Sequence, residues 1–200
     1  MLELISLKSQ GDRILTLTEA TWEDYEQLIV SHPHYLISYL NQIVTIVAPG
    51  RNHERIATVI STLVNAYCRK YQIPYYTLGS KDIKKQYVAG KQPDTSYCFF
   101  TEKETQDLAI EVNYTSGSID DLEKYRILEV AEVWIWQENS LKFYGLTKFN
   151  TGDRGDYYEE LEYSTNLPHL SCDFLQPFVN RGLKDNNLAI ENDFFSALDI

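Results

Sequence analysis

Between Asp107 and Trp136 the chain carries two apolar, strand-like runs, DLAIEVNYT and VWIW, separated by a helix-like stretch. A carboxylate, Glu111, stands in the middle of the first run. Strand, helix and strand in that order call for an α/β core, with the helix packed on a sheet. A carboxylate inside LAIEV is costly if left unpaired in an apolar setting, so it must meet an edge, a partner or a cation. Side chains two apart on a strand share a face, so Glu111 points the same way as Asn113 and opposite to Val112. Ser118 is expected to cap the intervening helix, with Asp121 completing a capping-box-like pattern.

The remaining elements read in the same way. Thr21 is an N-cap for a short helix over TWEDYEQLIV, with carboxylates in its first turn, and His32-Pro33 ends it. YLISYL and IVTIV, separated by Asn41-Gln42, read as a hairpin, and Pro49-Gly50 breaks the sheet pattern. Ile56, Ile60, Leu63 and Tyr67 recur at spacings of four, three and four, which predicts a helix from about Glu54 to Lys70, with Pro74 beyond its end. PYYTLGS and TSYCFF read as strands around a basic middle, and LKFYGL and DYYEELEY as an antiparallel pair. One or two packing helices follow Leu170. The expected architecture is α/β, a mixed central sheet flanked by helices. Residues 1–170 form the domain, and 171–200 a helical extension packed on it.

Composition narrows the class. The 200 residues suit one domain, and a hydrophobic share of 44% is enough for a sizeable core, which argues against disorder. No apolar run approaches the roughly 20 residues of a membrane-spanning helix. The opening MLELISLKSQGDR lacks the layout of a signal peptide. Cys68, Cys98 and Cys172 are widely separated and odd in number, which fits neither a zinc site nor a disulfide framework and favours a reducing cytoplasm. The formal charge of -11 sits awkwardly with a phosphate-binding surface. However, KDIKKQYVAGK gathers Lys81, Lys84, Lys85 and Lys91 against one aspartate. That stretch reads either as a backbone-holding patch or as a solvated edge decorated with lysines.

Asp94, after Pro93 at the mouth of a strand, is the second carboxylate of interest. If its strand neighbours that of Glu111, both converge on one ion, and hard oxygen ligands suit Mg²⁺ or Mn²⁺. Such an ion would acidify a bound water and neutralise charge on phosphate oxygens. The alternative makes Asp94 a turn residue and Glu111 half of a salt bridge, and the residues alone leave both open. Ser116-Gly117-Ser118 lacks the pattern of a phosphate-binding loop and reads as a turn and cap. No serine or cysteine has a nucleophile setting. Trp134 and Trp136 read as core, and His169 as loop.

GKQPDTSYCFF, followed by LAIEVNYTSGSIDDLEKYRILEVAEVWIW, resembles the core of a large bacterial family of restriction-endonuclease-like proteins. That family belongs to the Pro-Asp…(Asp/Glu)-x-Lys nuclease superfamily. TWEDYEQL and IVTIVAPGRNHERIATVISTLVNAYC resemble it in order and spacing, so the likeness covers roughly residues 18–170. It implies a restriction-endonuclease-like core, Mg²⁺ held by Asp94 and Glu111, DNA as substrate and a homodimer. His53 and Glu54 match a His-Glu pair at the start of the first core helix, where an acid sometimes adds to the metal site; helix capping is the plainer role. The chain departs from the pattern in three places. Asn113 occupies the usual lysine position, and Asp121 the alternative one on the next helix. Ile37 stands where the first hairpin usually has a glutamate. Lys124, nearly on the same helix face as Asp121, is the expected replacement lysine, or else a partner of Asp120 or Asp121. Two other readings stand beside the nuclease: a catalytically inactive binding module on the same fold, and a self-associating scaffold using tyrosine-rich strands.

Overall fold

The computed structural model describes residues 11–114, 120–148 and 155–198. The expected caps at Ser118 and the turn at 116–118 lie outside them. In chain order the elements are β1 (Arg13–Leu17), α1 (Trp22–Ser31), β2 (Leu36–Leu40), β3 (Ile43–Ala48), α2 (Arg51–Tyr71), β4 (Tyr75–Thr77), β5 (Ile83–Lys85) and β6 (Ala89–Lys91). They continue with β7 (Thr95–Phe99), β8 (Leu108–Asn113), α3 (Asp120–Ile127), β9 (Glu132–Gln137), β10 (Ser140–Thr147), β11 (Tyr157–Leu161), α4 (Cys172–Arg181) and α5 (Asn187–Ala197).

These strands build two sheets rather than one. The first has the order β1-β3-β2-β6-β5 and the second β11-β10-β9-β8-β7-β4. Among the described strands, β8 and β9 pair in parallel while the others pair antiparallel, so the second sheet is mixed. Parallel neighbours need a crossover, and α3 supplies it. The hairpin β2–β3 turns at Asn41 and Gln42, both with positive φ, the backbone a two-residue turn requires. Thr21 caps α1 in a complete capping box with Asp24.

Alternation along β8 and β9 sorts the core into two layers. Leu108, Ile110, Val112, Trp134 and Trp136 face α2, α4 and α5. Ala109, Val133 and Ile135 face α3, whose Leu122 and Tyr125 also meet Ile83 and Ala89 of the first sheet. The helix α3 therefore fills the space between the sheets. Glu111 lies on that second face, so its side chain enters a seam lined by α3 and β6. Close packing of the first sheet fixes where β6 runs. A Cβ at Gly90 would overlap Tyr25 of α1, and only glycine lets the strand lie so near that ring. No described helix is long and apolar enough to cross a membrane.

Candidate active site

The second sheet brings Asp94 and Glu111 side by side. Thr95 pairs with Ile110, the Asp94 amide donates to Ile110 O (3.1 Å), and the Val112 amide donates to Asp94 Oδ2 (2.5 Å). Those two bonds bracket Glu111. Each carboxylate nevertheless has its own set of partners, one toward α2 and one toward α3.

Asp94 is buried and meets His53 in the first turn of α2, Oδ1 to Nε2 at 2.7 Å. His53 Nδ1 lies 3.1 Å from Asp12 Oδ1, near enough for charge attraction without the geometry of a hydrogen bond. Burial opposes a charge on this imidazole, but Asp12 and Asp94 outweigh it and raise the pKa to about 10. His53 is thus an imidazolium between two carboxylates. Asp12 also accepts from the Gly50 amide (2.9 Å), the N-cap of α2, where the helix dipole favours an anion. A polar cleft of about 180 Å³ opens beside Asp94, with Tyr35, Pro49, His53 and Glu54 in its wall. Glu54 is exposed at that wall.

Glu111 is buried in the seam. Its Oε2 accepts from Lys91 Nζ at 3.0 Å and its Oε1 from the Tyr125 hydroxyl. Lys91 Nζ lies 3.4 Å from Asp121 Oδ1, and Lys124 Nζ is 3.0 Å from the same oxygen. Burial raises the Glu111 pKa and Lys91 opposes it, while Asp94 and Asp121 add to the rise. Asp94 and Glu111 therefore feel each other's charge. At Asp121 burial acts upward, but Lys91 and Lys124 prevail and hold it below the usual carboxylate range. Asn113, two residues beyond Glu111, is buried with its Nδ2 unpartnered.

The lysine stretch divides. Lys81, Lys84 and Lys85 are exposed, with Lys84 paired to Glu26 (3.0 Å) and Asp82 (2.7 Å) and Lys85 within 4.0 Å of Glu129. Lys91, expected among the surface lysines, is instead buried against Glu111, because it ends β6 where that strand faces α3 across the seam. Lys124, expected to reach the acids from the helix, is occupied by Asp121. Asp12, on the far side of His53, and Tyr125, the partner of Glu111, carry no signal in the sequence that ties them to the two acids. Nothing in the local sequence around Asp12 announces it. Tyr125 lies fourteen positions beyond Glu111, in another element.

The Uma2 family, described as "Putative restriction endonuclease", matches residues 22–179. The chain belongs to that family. A crystal structure of a protein described as a putative nuclease belonging to DUF820, from Anabaena variabilis, superposes with a TM-score of 0.53 at 14% identity. The match covers 80% of this chain and 98% of that one, and shows a shared restriction-endonuclease-like fold. No curated protein matches the chain. The family match spans the positions of both acids, His53, Lys91 and α3, while Asp12 lies before it. No group of three or more histidine, cysteine, aspartate or glutamate side chains among the described residues forms a ready metal cage. The groups in contact with the two acids are His53, the Val112 amide, Lys91 and Tyr125, and the carboxylate oxygens of Asp94 and Glu111 themselves are the hard ligands that suit a cation retaining several waters.

Proposed function

We propose that this chain is a divalent-metal-dependent nuclease that hydrolyses DNA phosphodiester bonds. The observation that carries this reading is the bracketing of Glu111 by two hydrogen bonds of Asp94, one from its amide and one to its carboxylate, which sets the two acids at neighbouring positions of the sheet with a polar cleft beside Asp94. Asp94 and Glu111 would hold Mg²⁺ or Mn²⁺, with Glu54 at the cleft wall as a further acid. Bound there, such an ion supplies charge neutralisation at phosphate oxygens and a more acidic water. The protein's own groups set the stage. His53 fixes the direction of the Asp94 carboxylate, Tyr125 fixes that of Glu111, and Asn113 offers an unpaired amide donor to a phosphate oxygen or water. Exposed Lys81, Lys84 and Lys85 hold the DNA backbone, which partly offsets the acidic balance of the chain. A homodimer in the cytoplasm completes the reading.

Nicking of supercoiled plasmid in Mg²⁺ or Mn²⁺ tests it. Wild-type protein nicks, and Asp94→Ala loses at least about 100-fold of the rate. Equal nicking by both would make the activity a contaminant. A second reading, an inactive binding module, draws on one observation: each oxygen of Asp94 and Glu111 already has a partner inside the protein. It predicts that calorimetric titration with Mn²⁺ yields no heat of binding.

A further inference from the structure

The family-like lysine positions are held here by Asn113 and Asp121, yet an ammonium still sits beside Glu111. We propose that Lys91, delivered from the first sheet, is the catalytic lysine of this site, and that Lys91 and Asp121 form an exchanged charge pair. The proposal rests on the nuclease reading and names a residue for it. Three observations support it. Lys91 Nζ contacts Glu111 Oε2 at 3.0 Å, so it is on the acid that faces the seam. It also lies 3.4 Å from Asp121, so the acid at the helix position is neutralised by the very cation that replaces it. The lysine of α3, Lys124, is held at 3.0 Å by the same Asp121 oxygen, whereas the ammonium paired with Glu111 is that of Lys91. Lys91 further lies 5.9 Å from the centre of the Tyr125 ring, which limits its freedom to leave.

In hydrolysis, the oxygen of water forms a bond to phosphorus and the bond from phosphorus to a sugar oxygen breaks. One water proton ends on that sugar oxygen, and the other leaves to solvent when the new phosphate monoester ionises. Lys91 stays an ammonium throughout. It donates hydrogen bonds to the attacking water and to the phosphate oxygen on which charge builds, where a fixed cation in a desolvated seam acts strongly.

The experiment compares plasmid nicking in Mn²⁺ by the full chain, by Lys91→Met and by the double exchange Lys91→Glu with Asp121→Lys. Mn²⁺ calorimetry and thermal melting run alongside. The expected result for Lys91→Met is a loss of at least about 100-fold in nicking, with Mn²⁺ bound at least as tightly as by wild type because a positive charge beside Glu111 is gone. The double exchange preserves the ion pair, so it folds even if Lys91→Met does not. It returns nicking to within about tenfold of wild type, because the ammonium now comes from α3. A folded Lys91→Met that nicks within about threefold of wild type overturns the proposal and leaves the nuclease reading standing. A folded Lys91→Met with Mn²⁺ binding weakened tenfold or more assigns Lys91 to shaping the metal site instead, and also overturns it. A double exchange no faster than Lys91→Met does the same. A wild-type protein that nicks nothing overturns the nuclease reading and this role together.

Discussion

Two buried glutamates on adjacent parallel strands have been solved by the fold in opposite ways. Glu132, at the start of β9, is fully buried and accepts five hydrogen bonds. Its donors are all neutral: Trp134 Nε1 at 2.6 Å, the Thr165 amide and hydroxyl, and the amide and side chain of Asn166 at 3.2 and 3.0 Å. Glu111, on β8, has one neutral donor in Tyr125 and one ammonium in Lys91, with further acids close by. The first arrangement saturates a carboxyl group with donors from its own strand and from the segment at 165–166, and leaves it nothing further to do. The second balances charges of opposite sign, and that balance shifts when any one of them changes. Burial and a carboxylate together do not mark a functional site. A carboxylate set among competing charges is the better candidate for one.

Breaking Glu132 should cost the most stability. Glu132→Ala orphans several buried donors and is expected to lower the free energy of unfolding by about 4 kcal/mol. Urea denaturation measures it, and a loss under about 1 kcal/mol would erase the contrast drawn above. Next comes His53→Ala, which removes the cation held between the carboxylates of Asp12 and Asp94 and is expected to cost about 3 kcal/mol in the same assay. Glu111→Gln should be milder, at about 1 kcal/mol, because glutamine still accepts from Tyr125 or Lys91 and the charge it removes was disfavoured by burial. The same variant should lose Mn²⁺ binding, so stability and metal affinity separate at Glu111 but not at Glu132. Lys124→Met is the smallest change, about 0.5 kcal/mol, since Asp121 keeps Lys91 as its partner. Its nicking rate should remain within about threefold of wild type, and a larger loss would hand the lysine role back to α3.

The sequence made the local elements readable and left the meeting of distant ones hidden. The hairpin at Asn41-Gln42, the capped helix from Trp22 and the apolar face of α2 follow from turn chemistry, capping and periodicity, all short-range signals. The sequence leaves the pairing of the segments that bear Asp94 and Glu111 conditional, and the register at Thr95 and Ile110 supplies it. The division into two sheets was not readable, because the strand exchange that puts β6 beside β2 depends on partners some fifty residues apart. Lys91 reads with its surface neighbours for the same reason. Three of the four lysines in its stretch do face water, and only the seam between the sheets takes the fourth inside. Glu132 could have been found by the reasoning applied to Glu111, since EVWIW also embeds a carboxylate in an apolar run.

Calorimetric titration of Mn²⁺ into wild type, Asp94→Asn and Glu111→Gln probes the proposed metal site most directly. One ion per chain in the wild type, with binding lost in both variants, is the predicted result. Binding that survives Glu111→Gln unchanged, or a wild type that takes up no ion, would contradict the claim that these two acids serve a single centre.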